Sequence, residues 1–134
     1  MNSNSVTIEK ARILLVDDNA DVRTAMRRTL ALDGSLVVEA DNGDTAMHLI
    51  RSAEPFDLLV TDLRMPGPTD GLALAADWER HTSNRPVLLV SGDAGAFLDD
   101  ARLGPNVALL HKPFRRACLT TVVQRLLQDT RVAA

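Results

Sequence analysis

Four short apolar runs in this chain stop abruptly on residues that can do chemistry. Ile13-Leu14-Leu15-Val16 runs into Asp17 and Asp18, and Leu58-Leu59-Val60 into Thr61 and Asp62. Val87-Leu88-Leu89-Val90 ends at Ser91, and Val107-Ala108-Leu109-Leu110 leads to His111, Lys112 and Pro113. Gathered at one place, these ends would bring together three carboxylates, a hydroxyl and an ammonium. Crowded carboxylates repel one another, and at least one has its pKa raised unless a cation intervenes. An all-oxygen donor set suits a hard divalent ion that keeps several waters, so Mg²⁺ is the expected cofactor. No Cys or His pair stands at zinc-like spacing, which speaks against a soft-metal site. A carboxylate nucleophile, a hard cation, a lysine and a hydroxyl are the parts that hold a transferring phosphoryl group and spread its charge.

The elements that must position these residues can be read along the chain. Uninterrupted apolar runs suit strands covered on both faces, as in a parallel sheet, and Leu36-Val37-Val38 adds a fifth. Helical patterns lie between the runs. Val22, Met26 and Leu30 mark the first, stopped by Asp33-Gly34. Ala46, Leu49, Ile50 and Ala53 mark the second, closed by Pro55. Leu72 to Arg80 is a third and Ala94 to Leu103 a short fourth, ended by Gly104-Pro105. Leu119, Val122, Val123, Leu126 and Leu127 trace the apolar face of the last. Strict alternation of strand and helix implies a doubly wound α/β sheet. In such sheets function collects beyond the carboxyl ends of the strands. The second strand ends in Ala40, outside the polar group, which fits the strand order 2-1-3-4-5.

Taken one at a time, these polar residues have plainer uses. An Asp at a strand end is most often a turn former or helix cap; Asp18 or Asn19 would cap the first helix, and Ser91-Gly92 would begin a turn. Their joint placement at the ends of four strands is what favours a site.

Bulk properties agree with one domain. The chain has 134 residues, 46% of them hydrophobic and 25% charged, enough for one proper core. A net charge of -3 gives no basic surplus, so direct nucleic-acid contact is not expected. The single Cys118 fits a reducing compartment, and no apolar run reaches membrane-spanning length; a cytoplasmic location is expected. Residues 1–10 read as a polar lead-in, 11–130 as the domain and 131–134 as a tail.

With these elements laid out, the chain resembles the receiver domains of bacterial two-component response regulators from about Arg12 to Asp129. The resemblance rests on Ile13-Leu14-Leu15-Val16-Asp17-Asp18-Asn19, Val60-Thr61-Asp62-Leu63-Arg64-Met65-Pro66-Gly67, Asp70-Gly71, Val90-Ser91-Gly92 and Lys112-Pro113-Phe114. It implies a flavodoxin-like (βα)5 fold and a phosphorelay role. Asp62 would accept phosphate from a histidine kinase or histidine phosphotransfer protein. Asp17, Asp18, Asp62 and the backbone carbonyl of Arg64 would bind Mg²⁺. Ser91 would hydrogen-bond the arriving phosphate. Lys112 would pair with it, and with Asp62 beforehand, across a Lys112-Pro113 bond that is often cis in the family. Beyond its own phosphotransfer and autodephosphorylation, a receiver is not an enzyme. No effector follows Asp129, so output is expected through an unidentified protein target, as shuttle, sink or docking switch, from a monomer or weak homodimer.

The chain departs from the family pattern in places. Leu109 stands where most receivers carry a switching Tyr or Phe, which puts the usual relay in doubt. The loop from Met65 to Gly71 is one residue longer than the commonest form, and with Ser91-Gly92-Asp93 it is similar to receivers of hybrid histidine kinases or single-domain relatives. Arg64 and Asp93, each two residues past a site residue, are expected to modulate phosphoryl lifetime. Among lesser features, Arg23, Arg27 and Arg28 would give the first helix a basic outer face, Trp78 would be partly packed and Cys118 a small packing residue. Two other classes compete. An aspartate-nucleophile phosphohydrolase would need an acid where Arg64 stands, and a flavodoxin-like ligand-binding module would need a glycine-rich phosphate loop that is missing.

Overall fold

The computed structural model describes residues 10–52, 54–82, 84–92 and 106–133. Within them the chain alternates β1 (Arg12–Val16), α1 (Ala20–Leu32), β2 (Leu36–Ala40), α2 (Gly43–Arg51), β3 (Leu58–Asp62), α3 (Gly71–His81), β4 (Val87–Ser91), β5 (Val107–His111) and α4 (Arg116–Ala133). The sequence-predicted helix over Ala94–Leu103 lies outside the described residues. The last helix runs through Ala133, so residues 131–133, set apart above as a tail, are helical.

The strands form one sheet in the order β2-β1-β3-β4-β5, the 2-1-3-4-5 order expected from the sequence. Every pairing is parallel: Leu14 stands opposite Val38 on one side and Leu59 on the other, while Asp62 faces Val90 and Ser91 faces His111. The apolar runs follow from this arrangement, since a central strand covered on both faces cannot alternate with polar residues. Ile13, Leu15, Leu58, Val60, Leu88 and Val90 pack with Met26 and Leu30 of α1 and Leu119 and Val123 of α4. Leu14, Val16, Leu59 and Leu89 point the other way, against Ala46, Ile50, Leu74 and Trp78 of α2 and α3. Each fully buried aliphatic side chain contributes about 1.5–3 kcal/mol, so these two half-cores hold the strand ends in register.

The helix ends are set by local chemistry. Asn19, Asn42 and Asp70 are N-caps whose side chains accept from Val22, Thr45 and Ala73 N–H groups. After α1, Gly34 takes φ 89°, a left-handed turn that a β-carbon would disfavour. At the start of α3, Gly71 is needed for a different reason. A β-carbon there would collide with the carbonyl oxygen of Asp62, so glycine lets the helix begin directly beneath the end of β3.

Trp78 is buried deeper than the expected partial packing: it is 1% exposed, and its indole N–H donates to the Arg85 carbonyl at 3.0 Å. Cys118 is exposed on α4, not a packing residue.

Candidate functional site

Asp17 is the residue immediately after β1, and its side chain is buried, 2% exposed. The Asn19 N–H donates to Asp17 Oδ1 at 2.9 Å, a turn that also delivers Asn19 to its capping position. Asp18 follows with its side chain exposed. Asp62 closes β3, half-buried, with the Arg64 N–H 3.4 Å from its Oδ1. Carboxylate oxygens of Asp17, Asp18 and Asp62 all lie within 4.8 Å of one another. Two adjacent parallel strands ending at the same level produce this cluster, because Val16 pairs with Thr61.

Lys112 arrives from the far side of the site, just past β5. Its N–H donates to the Ser91 carbonyl at 2.7 Å, which carries the chain across the end of β4. The following peptide bond, Lys112-Pro113, is cis. From there the ammonium reaches Asp17 Oδ2 at 3.1 Å and Asp62 Oδ2 at 3.4 Å. Sequence reasoning expected the Asp62 contact and missed the shorter one to Asp17. Ser91 is buried at the end of β4, beside this crossing. Arg64 has an exposed side chain, Leu109 is half-buried against the α2–α3 half-core, and Asp93 lies outside the described residues. His111 is exposed.

The electrostatics follow from the crowding. Burial is the largest influence on Asp62 and pushes its carboxyl up; Lys112 pulls it down, Asp17 pushes it up again, and the Arg64 N–H pulls it down. The net direction is upward, so this carboxyl holds its proton more tightly than an ordinary aspartate. Burial by itself would lower the Lys112 ammonium, but the hydrogen bond and charge of Asp17, then the charge of Asp62, outweigh it and raise its pKa. Three carboxylates against one ammonium leave the pocket with surplus negative charge. The donors are all oxygen, and Asp18 opens the cluster to solvent, so the residues fit a hard, partly hydrated divalent cation.

One residue of the site was misread from the sequence. Arg23, expected on a basic outer face of α1, turns back to the sheet: its Nη1 donates to the Asp17 carbonyl at 2.7 Å and its Nε to Glu39 Oε1 at 3.1 Å. Arg27 also pairs with Glu39, at 3.4 Å, leaving Arg28 exposed. Helical periodicity placed Arg23 on a polar face, and only the position of β2 shows which neighbour that face meets.

Comparison with known proteins gives the same picture. The response regulator receiver domain model matches residues 13–124. The regulatory protein AtoC of Escherichia coli K12 is 34% identical over 119 residues, which cover 87% of this chain but only 25% of AtoC. The chain thus spans about a quarter of that relative. A solved response regulator receiver protein from Sinorhizobium medicae WSM419 has 35% identity and a TM-score of 0.82, with 91% of this chain and 98% of that one covered. The receiver domain of the hybrid histidine kinase CckA has 31% identity and a TM-score of 0.74 over 87% of this chain and 99% of its own. Both the family match and the shared architecture extend over most of the sequence, and the chain belongs to the response regulator receiver domain family of two-component signalling.

Proposed function

We propose that this receiver takes a phosphoryl group onto Asp62 from the phosphohistidine of a histidine kinase or histidine phosphotransfer protein, and signals by holding it or passing it on. One observation carries the reading: the carboxylates of Asp17, Asp18 and Asp62 converge within 4.8 Å while Lys112 spans Asp17 and Asp62. In this reading an Asp62 carboxylate oxygen attacks phosphorus, the donor's N–P bond breaks, and the imidazole leaves with the electron pair and takes up a proton. Lys112 pairs with one phosphoryl oxygen and the Ser91 hydroxyl donates to another. The carboxylates of Asp17, Asp18 and Asp62, with the Arg64 backbone carbonyl, would hold Mg²⁺. When bound, that ion supplies neutralisation of the charge on the phosphoryl oxygens. Arg64 and Asp93, each two residues past a site residue in the sequence, set how fast water removes the phosphoryl group.

Receivers of this kind are signalling modules and do not turn over a separate substrate, which disfavours the phosphohydrolase reading; Arg64, two residues past Asp62, also lacks the acid such an enzyme needs. The partner is a histidine-phosphorylated protein, and the output is a protein target.

The test is phosphotransfer. The full chain with Mg²⁺ and a small acyl phosphate donor should gain one phosphoryl group by intact mass, and Asp62→Asn should gain none. Profiling against the histidine kinases of the host should give one preferred donor. A flat profile with Mg²⁺ present, together with no labelling of Asp62, would overturn the reading.

A further inference from the structure

The geometry points to Arg23 as a positioning residue for the acidic pocket, oriented by Glu39 of the neighbouring strand. This inference rests on the metal-binding reading of Asp17, Asp18 and Asp62 given above. Arg23 does not touch the pocket's carboxylates through its guanidinium. Its Nη1 instead donates to the main-chain carbonyl of Asp17 at 2.7 Å, in the peptide unit that joins Asp17 to Asp18.

That peptide unit is where the two carboxylates acquire their relative direction. Upstream, the Asp17 N–H is fixed by the Ala40 carbonyl of β2 at 3.2 Å. Downstream, the Asn19 N–H returns to Asp17 Oδ1 at 2.9 Å. Between them, Arg23 fixes the Asp17 carbonyl. Asp17 is therefore held through its N–H, its carbonyl and its side chain. Asp18, exposed and at the tip of the turn, depends on that backbone for its direction.

The arginine is itself held. Its side chain is 18% exposed, and its Nε donates to Glu39 Oε1 at 3.1 Å, while Arg27 takes the other Glu39 oxygen at 3.4 Å. A planar guanidinium has donors in a fixed fork, so gripping Glu39 with one nitrogen aims another at the Asp17 carbonyl. Glu39 also neutralises the charge that Arg23 brings towards a cation site. The chain of contacts runs from the sheet edge, through Glu39 and Arg23, to the backbone of Asp17 and Asp18. Groups of this kind behind metal ligands orient them, and losing one typically costs about 10–100-fold in metal affinity.

Charge and positioning predict opposite signs. A cation near a cation site opposes metal by simple repulsion, so if charge were all that Arg23 contributed, Arg23→Met would tighten Mg²⁺ binding. If Arg23 positions the ligands, the same change weakens it.

The experiment is calorimetric titration of Mg²⁺ into the full-length chain, with thermal melting of each variant in the absence of metal. Arg23→Met should weaken Mg²⁺ by about 10-fold or more. Glu39→Ala should weaken it several-fold, since Arg23 loses both its aim and its neutralising partner. Arg23→Lys, which keeps the charge and a donating nitrogen but not the planar fork, should fall between wild type and Arg23→Met. Amide shifts in wild type against Arg23→Lys should centre on Asp18 and Asn19. Unchanged or tighter binding in Glu39→Ala and Arg23→Lys, with both folded, would overturn the inference even if Arg23→Met does not fold. Failure of the underlying reading looks different: wild type itself would bind no Mg²⁺, or Asp18→Asn and Asp62→Asn would bind it as wild type does.

Discussion

The ammonium of Lys112 lies nearer to Asp17, at 3.1 Å, than to Asp62, at 3.4 Å. In this structure the lysine is shared between the two strands' carboxylates and serves as the pocket's internal counter-cation. Because the Lys112 pKa is raised on folding, its contribution to stability is complete below the unfolded lysine value near 10.5 and is lost as pH rises through the folded one.

Lys112→Met should therefore destabilise the chain at neutral pH by about 1–3 kcal/mol, the usual scale for hydrogen bonds to charged groups at a partly buried site. In the metal-binding reading, Mg²⁺ held among the same carboxylates would replace the lost positive charge. The stability gap between Lys112→Met and wild type, read by urea unfolding, should narrow when Mg²⁺ is added. A gap that Mg²⁺ leaves unchanged would argue against a shared counter-cation role.

Asp62 gives the opposite sign. Its folded pKa lies above the ordinary 3.8, because burial, with Asp17 adding to it, outweighs Lys112 and the Arg64 N–H. The native state binds this proton more tightly than the unfolded chain does, so stability falls as pH rises from 3.8 through the folded value. Asp62→Asn should melt at a higher temperature than wild type at pH 7 without Mg²⁺. The difference should shrink as pH is lowered through the folded value and vanish only below 3.8, where the wild-type carboxyl is neutral in both states. Equal melting temperatures at neutral pH would contradict it.

Asp77, outside the site, shows what strand and helix periodicity could not reveal. Its side chain is fully buried, and its Oδ1 accepts from Arg51 of α2 at 3.0 Å and Arg80 at 3.2 Å. The other oxygen, Oδ2, is buried without a hydrogen-bond partner among the described residues. Burial pushes this carboxyl up, but the hydrogen bonds from Arg51 and Arg80 outweigh it, and the net direction is down. Each arginine is more than half exposed and can cover for the other, so Arg51→Ala or Arg80→Ala alone should cost less than about 1 kcal/mol. Together they strip the buried carboxylate of both arginine donors, leaving His81 Nδ1 3.7 Å from Oδ1, and should cost about 3 kcal/mol, more than the sum. A double-mutant cycle by chemical unfolding measures the excess; strict additivity would show that Asp77 does not need them. The stability Asp77 confers is present above pH 3.8 and is lost as pH falls through its lowered folded value, so Asp77→Asn should flatten the acid limb of the stability curve.

The strands and the pocket were legible because a parallel sheet writes them directly into the chain. Leu14 to Val16 and Leu58 to Val60 are apolar without interruption since helices cover both faces, and the polar residues that follow must emerge at one edge. Asp17, Asp18, Asp62 and Lys112 could be grouped on that ground. What stayed hidden depends on contacts between elements distant in sequence. Arg23 meets Glu39, Arg51 meets Asp77, and Trp78 finds the Arg85 carbonyl. Helical spacing says which residues share a face, not what that face touches. Charged neighbours made Trp78 look half-exposed, yet Asp77 beside it is buried by its arginines.

Leu109 bears on how a change at the proposed acceptor Asp62 would spread through the receiver. It is half-buried in β5, opposite Leu89, and packs on the α2–α3 half-core. An aromatic ring at this place could swing between buried and exposed positions and carry a change at Ser91 outward along the sheet edge. A leucine repacks within its own volume and has no polar tip to present to solvent. Forming the Asp62 beryllofluoride adduct with Mg²⁺ should therefore shift amide resonances strongly near Asp62, Ser91 and Lys112 and only weakly through residues 94–110. Large shifts through 94–110 would show that the relay works without an aromatic. If the shifts are small, Leu109→Tyr should enlarge them, because the substitution restores a side chain with two distinct places to sit. A Leu109→Tyr spectrum no more responsive than wild type would place the insensitivity elsewhere than at Leu109.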